Sequence, residues 1–218
     1  MPTVYLIRHG QASFGAADYD VLSEVGEQQS KVLGEELRRR EVRVDRVWSG
    51  TLRRHRATAA ACLPVAEVDL PIDEDPRWNE YDHLTLVQRS LPPEEIPSGG
   101  GGKAQDFQRL LDAALLAWMG EPETSWPDFQ DGACAALDEV FVHLGKGGAG
   151  LVFTSGGVIS AICARLLDLR PDGFLALNRT MVNASLTKLV HGRSGTSLIS
   201  LNEHGHFEGP HRELLSYR

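Results

Sequence analysis

The tripeptide Arg8-His9-Gly10 combines three residue types that suit phosphate chemistry. It directly follows the apolar run 4–7, which predicts a buried strand that ends at the motif. Arginine presents a planar fork of donors to phosphoryl oxygens, and histidine acts as a nucleophile or proton carrier near neutral pH. The glycine leaves room for a ligand to approach the backbone. Because so short a motif also arises by chance in loops, its meaning depends on what accompanies it.

Two further segments carry side chains of a similar kind. After a second predicted strand, a turn leads into a predicted helix over 52–62, which places Arg54 and Thr58 one turn apart on one face. The acid Glu80 stands within the segment 78–81, between residues with apolar and aromatic side chains. Taken singly, Arg54 is explained as an ion-pair residue on a helix surface, and Glu80 as an exposed carboxylate in a turn. Only their joint placement with the first motif favours catalysis.

Strands, turns and helices alternate along most of the chain, which is typical of a parallel α/β sheet. The predicted strands are 4–7, 46–48, 151–154, 185–190 and 197–201, and the predicted helices are 24–40, 52–62, 129–144, 158–169 and 171–178. The expected fold class is α/β, a three-layer α/β/α sandwich with a mostly parallel central sheet. Sheets of this kind bind ligands at the carboxyl ends of their strands, where the motifs above fall.

Residues 81–127 break this alternation. The proline-rich and glycine-rich stretch 91–102 predicts an exposed, mobile loop, and apolar residues recur at helical spacing from Phe107 to Trp118. We interpret 81–127 as an inserted helical lid within a single domain that spans 1–218, and we expect the lid to choose the substrate.

The composition excludes several function classes. With 218 residues, 42% hydrophobic and 24% charged, the chain is long enough for one sizeable core. The net charge of -8 gives no support to binding of nucleic acid or an anionic membrane surface. No leader and no membrane-spanning run stand out, so we expect a soluble cytoplasmic protein, either monomer or homodimer. Cys62, Cys134 and Cys163 are expected to be buried, reduced thiols.

In order and spacing, these segments resemble the histidine phosphatase superfamily, the phosphoglycerate-mutase-like proteins. The matching features are Arg8-His9-Gly10, a Leu-x-Arg-x-x-x-Thr-Ala helix start over 52–59, the acid segment Asn79-Glu80, and a strand followed by Gly-Gly near residue 155, with support from 22–26 and 183–187. The resemblance spans nearly the whole chain and implies a phosphoglycerate-mutase-like fold.

The resemblance also implies roles for individual residues. His9 would take up the phosphoryl group as the nucleophile, Arg8 and Arg54 would bind its oxygens, and Glu80 would act as general acid and then base. The role of Glu80 needs a raised pKa, for which its neighbours Trp78 and Tyr81 are the expected cause. The further residues predicted to bind substrate are Gln11, Ser13, Ser155 and Gly156.

No metal and no organic cofactor is expected in this chemistry. His204 and His206 have a His-x-His spacing that suits a metal, with His211 nearby, but no matching set of carboxylates or cysteines accompanies them. The resemblance makes His206 a structural residue near the last strand. The expected partner is a small phosphorylated metabolite.

The chain departs from the family pattern at Ser155, where the family has a second histidine before Gly-Gly. A serine hydroxyl and the amides at a helix start still donate hydrogen bonds, but a positive charge is lost. Another histidine, such as His83 or His55, is a candidate to fill the gap. The leading hypothesis is a phosphomonoesterase that works through a phosphohistidine on His9, favoured weakly by Gln11. The alternatives are a phosphoglycerate-mutase-type phosphoryl transferase and a catalytically impaired phospholigand-binding protein.

Overall fold

The computed structural model describes residues 1–13, 20–90, 104–120 and 125–217, for residues 90 and 104–107 the backbone alone. Strands and helices alternate as the sequence predicts. The strands are β1 Thr3–Arg8, β2 Arg46–Ser49, β3 Ile72–Glu74, β4 Ala149–Thr154, β5 Leu186–Gly192 and β6 Gly195–Glu203. The helices are α1 Glu24–Arg39, α2 Arg53–Cys62, α3 His83–Ser90, α4 Ala104–Gly120, α5 Trp126–Leu144, α6 Gly156–Leu166 and α7 Pro171–Thr180.

The six strands form one sheet in the order β3-β2-β4-β1-β5-β6. The first four strands run parallel to one another, whereas β5 pairs antiparallel with both β1 and β6. The prediction of a mostly parallel sheet between layers of helices is therefore confirmed. Because β1 and β4 are parallel neighbours, the residues that follow them emerge side by side at one edge.

Alternate residues of the central strands bury two separate cores. Val4 and Leu6 of β1 face α5 and α6, while Ile7 faces α1 and α2. All three side chains are fully buried, which fixes the strand and hence the position of the motif that follows it.

Local signals account for the ends of α1. The Ser23 hydroxyl accepts a hydrogen bond from the Gly26 amide at 3.1 Å, and acidic residues occupy the first turn. Arg38 and Arg39 lie in the last turn, where the helix dipole favours cations. These are the cap and the basic end that the sequence indicates.

Two short elements were not predicted from the sequence. Strand β3 has three residues, of which two are exposed, so it lacks an apolar pattern. Helix α3 begins at His83, where the Asp82 carboxylate accepts from the Thr85 amide at 3.0 Å. Helix α6 begins at Gly156, two residues earlier than predicted.

The predicted helix of the insertion is present as α4. Its residues Ala114, Leu115 and Trp118 are buried, and Leu115 and Trp118 belong to a third apolar cluster with residues of α6 and α7. The segment 91–102, predicted to be a mobile loop, lies outside the described residues.

The carboxyl-terminal segment returns to the sheet in two short 3-10 turns, and its Phe207 and Leu214 are buried. His206 donates through its ring Nε2 to the Ala184 carbonyl at 3.1 Å, which agrees with the structural role expected of it. Within the described ranges, no three or more histidine, cysteine or acidic side chains are grouped so as to hold a metal ion.

The three thiols are unbonded. Cys62 and Cys163 are buried as predicted, whereas Cys134 is half-buried. Across the described part of the chain, none of the helices has the length and apolar character needed to cross a membrane.

Candidate active site

The carboxyl ends of β1, β2 and β4 bring the sequence motifs together. Arg8 pairs in register with Thr154, and the next amide, that of His9, donates to the Thr154 carbonyl at 2.9 Å. On the other side of β4, the Gly50 amide that follows β2 donates to the Phe153 carbonyl at 3.0 Å. The turns that follow β1, β2 and β4 are far apart in the sequence, but they lie together at one edge of the sheet.

His9 is buried and is held in one tautomer. Its ring Nδ1 lies 2.7 Å from the Gly10 carbonyl, and because a carbonyl only accepts, Nδ1 carries the hydrogen. The pKa of the His9 imidazole is well below its ordinary value because the ring is buried, and because Arg54, Arg8 and His55 lie close to it. His9 is therefore neutral near pH 7, with its lone pair on Nε2.

Arg54 points its guanidinium at that lone pair. Its Nε donates to His9 Nε2 at 3.2 Å, and its Nη1 is paired with the Asp20 carboxylate at 2.7 Å. The same carboxylate accepts from the Arg53 amide at 2.8 Å, so Asp20 also satisfies the start of α2. Burial of Arg54 between an imidazole and a carboxylate fixes the donor fork beside the nucleophile.

A threonine joins the first two motifs. The Thr58 hydroxyl accepts from the Gly10 amide at 3.0 Å and donates to the Arg54 carbonyl at 2.7 Å. A side chain at Gly10 would collide with the Gly26 carbonyl at the start of α1. The close approach of α1 thus requires a glycine at position 10 whether or not a ligand also approaches its backbone.

Arg8 lies on the opposite side of β1 from α2. Its Nη1 donates to the carbonyls of Met181 and Tyr217, the latter at 2.9 Å. Its guanidinium lies close enough to Gly156 that a Cβ there would stand 3.4 Å from Arg8 Nε. The charge of Arg8 is among the causes that lower the pKa of both His9 and Glu80, so Arg8 lies near both. The part of the sheet edge that is bordered by Arg8, His9, Arg54 and Glu80 is called the hollow below.

Glu80 reaches the hollow from the segment after β3. One carboxylate oxygen accepts from the Gly157 amide at 3.1 Å, and the other, Oε1, is buried without a hydrogen-bond partner among the described residues. Burial raises the pKa of the Glu80 carboxyl against the opposing effects of the Gly157 amide and of Arg54 and Arg8. A buried acid with one unused oxygen is suited to hold a proton for a leaving group.

Trp78 and Tyr81, which the sequence suggested as the cause of a raised pKa, lie on either side of Glu80 in the chain. Trp78 is fully buried, and its carbonyl accepts from the Thr154 hydroxyl at 2.6 Å, which ties the segment to the end of β4. The Tyr81 hydroxyl accepts from Asn178 at 3.0 Å, and its ring packs against Trp118 of α4. The insertion therefore supports the wall of the hollow behind Glu80.

Ser155 directly follows β4, as His9 follows the neighbouring strand β1, and is fully buried. Its hydroxyl oxygen lies 2.7 Å from Nε2 of His55, whose ring centroid is 5.6 Å from that of His9. Of the two histidines proposed to fill the place of the family's second histidine, His55 is the one in contact with Ser155. His83 begins α3, and the pKa of its ring is lowered first by burial and then by the charge of Arg54.

The remaining predicted binding residues have these positions. The Gln11 amide oxygen accepts from the Ser23 hydroxyl at 2.8 Å, and the Ser13 amide donates to the Val21 carbonyl at 2.8 Å. Gly156 is the first residue of α6, so its amide belongs to a helix start next to Arg8.

Sequence reasoning missed Asp20. It lies 34 residues before the arginine that it pairs with, and no motif marks it. The only available signal was that α2 begins at a leucine cap with no acceptor of its own, so that its first amides require one from elsewhere.

Comparison with known proteins agrees with the geometry. The family model of the histidine phosphatase superfamily (branch 1) matches residues 4–204. A search of curated protein sequences gives no match. Among solved structures, the chain is similar to phosphoglycerate mutase from Bacillus anthracis str. Sterne, with a TM-score of 0.65 and 22% identity over 94% of each chain.

Two phosphatase structures are similar to a comparable extent. A mycobacterial glucosyl-3-phosphoglycerate phosphatase in complex with VO3 has a TM-score of 0.67 and 23% identity, covering 93% of this chain and 99% of that one. Phosphoserine phosphatase from Entamoeba histolytica, in complex with 3-phosphoglyceric acid, has a TM-score of 0.62 and 17% identity, covering 94% of this chain and 99% of that one. At these identities the likeness establishes the fold alone.

Proposed function

The chain belongs to the histidine phosphatase superfamily, and on that premise we propose that it is a phosphomonoesterase that hydrolyses a small phosphorylated substrate through a phosphohistidine on His9. The reaction needs no metal and no organic cofactor, because the chain supplies the nucleophile, the cationic donors and the acid. The structural neighbours include both phosphatases and a mutase, so the family sets the class of chemistry.

The observation that carries the proposal is the state of His9. A histidine attacks phosphorus only through an unprotonated nitrogen, and here the Gly10 carbonyl holds the hydrogen on Nδ1 while burial and two arginines keep the ring neutral. The Arg54 Nε–H at 3.2 Å marks where the lone pair of Nε2 points, and it lies ready to bind a phosphoryl oxygen that arrives there.

The reaction follows in two displacements. In the first, His9 Nε2 forms a bond to phosphorus as the bond to the ester oxygen breaks, and protonated Glu80 gives its proton to that oxygen, which releases the alcohol. In the second, water attacks the phosphohistidine, Glu80 takes up a proton from it, and the bond to Nε2 breaks to release inorganic phosphate. Arg8 and Arg54 offset the charge on the phosphoryl oxygens throughout.

An open groove between α3 and α5 is the expected binding place of the substrate's organic part. It is lined by Asn79 and Tyr81, which flank Glu80, and also by Thr85, Arg89 and Trp118. Since the acid must reach the ester oxygen, we expect the leaving alcohol to extend on the Glu80 side, and the groove includes the two residues next to Glu80 in the chain. The groove offers aromatic surface and charges of both signs, from two arginines and two aspartates, which favours a small polar or aromatic phosphate ester.

The direct test measures phosphate release from p-nitrophenyl phosphate by the purified protein in the presence of EDTA. We expect turnover that EDTA does not reduce, together with an acid-labile, alkali-stable phosphoprotein after rapid quenching. The variant His9→Ala is expected to lose both signals, and His191→Ala, which changes a histidine of the β5–β6 hairpin, is expected to keep both. Loss of activity in EDTA, or full activity in His9→Ala, would contradict the proposal.

The fate of the phosphohistidine separates hydrolysis from mutase-type transfer. We expect water to be the acceptor, so that added glycerol or phosphoglycerate does not change the yield of inorganic phosphate from the labelled protein. Quantitative transfer of the label to an alcohol would favour the transferase alternative.

A further inference from the structure

His55 ties the second motif to the end of β4 through a single buried contact. It follows Arg54 on α2, is fully buried, and places Nε2 2.7 Å from the Ser155 hydroxyl oxygen. Its ring centroid lies 5.6 Å from that of the proposed nucleophile His9. The contact therefore lies at the floor of the hollow, where the resemblance leads one to expect a second histidine.

The hydrogen of this contact belongs to His55. Its other ring nitrogen, Nδ1, is buried without a hydrogen-bond partner among the described residues, and it lies against Gly50, where a side chain would collide with it. Burial and the nearby Arg54 lower the pKa of the ring well below its ordinary value, so His55 is neutral and carries one hydrogen. A buried N–H without an acceptor is rarer and costs more than an unused acceptor nitrogen, so the hydrogen lies on Nε2.

Because the Ser155 oxygen is the acceptor in this contact, the Ser155 hydroxyl can donate its own hydrogen to another group. Ser155 stands immediately before α6, yet its side chain makes no capping hydrogen bond to that helix. Its oxygen accepts from His55 Nε2, and its own hydrogen meets no acceptor among the described residues. Since His9 follows β1 as Ser155 follows the parallel neighbour β4, the two residues leave adjacent strands side by side.

We propose that His55 is a positioning residue that holds the Ser155 hydroxyl so that its hydrogen is donated to the phosphoryl group on His9, and that the His55–Ser155 pair thereby replaces the second histidine of the family. This inference rests on the proposed phosphatase function and adds to it the source of the donor opposite Arg54. It also removes the reason for regarding the site as impaired, because the donor is supplied by two residues in place of one.

Kinetics of single and double variants test whether the two residues act as one unit. With p-nitrophenyl phosphate, His55→Ala and Ser155→Ala are each expected to lower kcat/KM by about 10- to 100-fold, as removal of an orienting hydrogen bond does elsewhere. The double variant is expected to be no slower than the slower single variant, because each change removes the same donor. Multiplied losses in the double variant would overturn the inference.

Conservative replacements separate a donor from a space-filling ring. Glutamine places an N–H donor near the position of His55 Nε2, whereas asparagine is too short to reach Ser155. We therefore expect His55→Gln to stay within about fivefold of wild type and His55→Asn to resemble His55→Ala. Equal rates for Gln and Asn at matched thermal stability would show that the ring acts through packing alone.

A remote pair provides the matched control. His191 contacts the Thr196 hydroxyl at 2.9 Å on the β5–β6 hairpin, so His191→Ala removes a histidine–hydroxyl pair of the same kind. It is expected to leave kcat/KM unchanged. A loss as large as that of His55→Ala would indicate a general effect on the fold and overturn the inference.

Binding of inorganic anions gives a readout that needs no turnover. Orthovanadate mimics the five-coordinate transition state, and its affinity is expected to fall in His55→Ala by about the factor lost in kcat/KM, whereas the affinity for inorganic phosphate changes less. Equal loss for both anions would contradict a donor aimed at the transition state.

The tautomer is tested on the wild-type protein, independently of activity. Long-range proton–nitrogen NMR of histidine-labelled protein, assigned with His55→Gln, is expected to show the His55 hydrogen on Nε2; a hydrogen on Nδ1 would overturn the inference. If the wild type is active and His55→Ala is equally active, this inference is contradicted and the proposed function is not. A wild type that neither hydrolyses the ester nor binds vanadate sinks both.

Discussion

The two sides of the hollow differ in how their polar atoms are used. On the side built by β1 and α2, both ring nitrogens of His9 are hydrogen-bonded, and Arg54 is fixed between His9 and Asp20. On the side built by β4 and α6, the Gly157 amide holds one oxygen of Glu80, while the other, Oε1, is buried without a hydrogen-bond partner among the described residues.

This difference indicates that the two sides of the hollow have different roles. The nucleophile side is set before the substrate arrives, with tautomer and charge already chosen. The opposite side keeps one oxygen of Glu80 for a group that only the substrate brings, the ester oxygen. A buried carboxylate oxygen without a partner costs stability, so its presence beside the nucleophile is consistent with a function for it.

The strongest test of the preset side is Arg54→Gln. Loss of the guanidinium removes a charge-assisted donor next to His9 Nε2, and we expect kcat/KM for p-nitrophenyl phosphate to fall about 10³-fold. Arg56→Gln is the matched control, because Arg56 is exposed on the same helix and pairs with Glu74 at 3.6 Å. A fall below tenfold in Arg54→Gln would mean that Arg54 is not part of the phosphate site.

The opposite side is tested next by Glu80→Gln. General acids contribute roughly 10²- to 10⁴-fold, and the contribution grows as the leaving group becomes more basic. We expect a fall of about 10³-fold with β-glycerophosphate and a clearly smaller one with p-nitrophenyl phosphate, whose leaving group needs no proton. Equal losses with both esters would remove Glu80 from the acid role.

The pH dependence of kcat gives a second test of Glu80 as the general acid. Burial raises the pKa of Glu80, so the acid form persists to higher pH than in an ordinary glutamate. With β-glycerophosphate, kcat is expected to fall as the pH rises through this raised pKa, and Glu80→Gln is expected to lack that limb. The stability that the protonated carboxyl contributes is complete below the ordinary pKa and is lost over the same rise.

A glycine supplies the next largest effect. A Cβ at Gly157 would collide with Glu80 Oε1 and the Tyr81 ring, so Gly157→Ala is expected to displace the acid and lower kcat about 10²-fold. The carboxylate can move aside, but the Tyr81 ring is packed against Trp118 and Phe129, so Tm is also expected to fall, by more than in the control. Gly132→Ala in α5, where the nearest atom is 3.9 Å away, is the control for an added methyl group.

Much of this arrangement follows from the sequence. Val4, Leu6 and Ile7 mark a strand buried on both faces, and the motif behind it must then lie at the edge of a parallel sheet. The positions of His9, Arg54 and Glu80 are consequences of that edge. The Ser23 cap, the Arg54–Thr58 face and the helix of the insertion are local patterns, and the structure confirms each of them.

The rest depends on contacts that no local pattern encodes. The His55–Ser155 contact joins residues 100 apart in the chain, and it exists only because α2 crosses the end of β4. The need for glycine at position 10 arises from the approach of α1. Strand β3 has no apolar pattern, because two of its three residues are exposed. Sequence periodicity reports which face is apolar, but it does not report which polar side chains meet across elements.

The smallest expected effect concerns Asp20, which the sequence did not indicate. In Asp20→Asn the amide oxygen still accepts from the amides at the start of α2, but the charge that holds Arg54 Nη1 is gone. We expect kcat to fall about tenfold, because Arg54 is less well oriented, while inhibition by inorganic phosphate grows no weaker, since a competing anion has been removed.

The control for Asp20→Asn is Asp45→Asn, because Asp45 also accepts from a backbone amide, that of Ala149 at 2.9 Å, at the opposite end of the sheet. If Asp20→Asn weakened phosphate inhibition as much as kcat, Asp20 would be holding the whole anion site together. The two sides of the hollow would then differ less than their hydrogen bonds indicate, because the nucleophile side would depend on the anion to complete it. A fall confined to kcat, in contrast, means that the orientation of Arg54 is fixed before any phosphate binds.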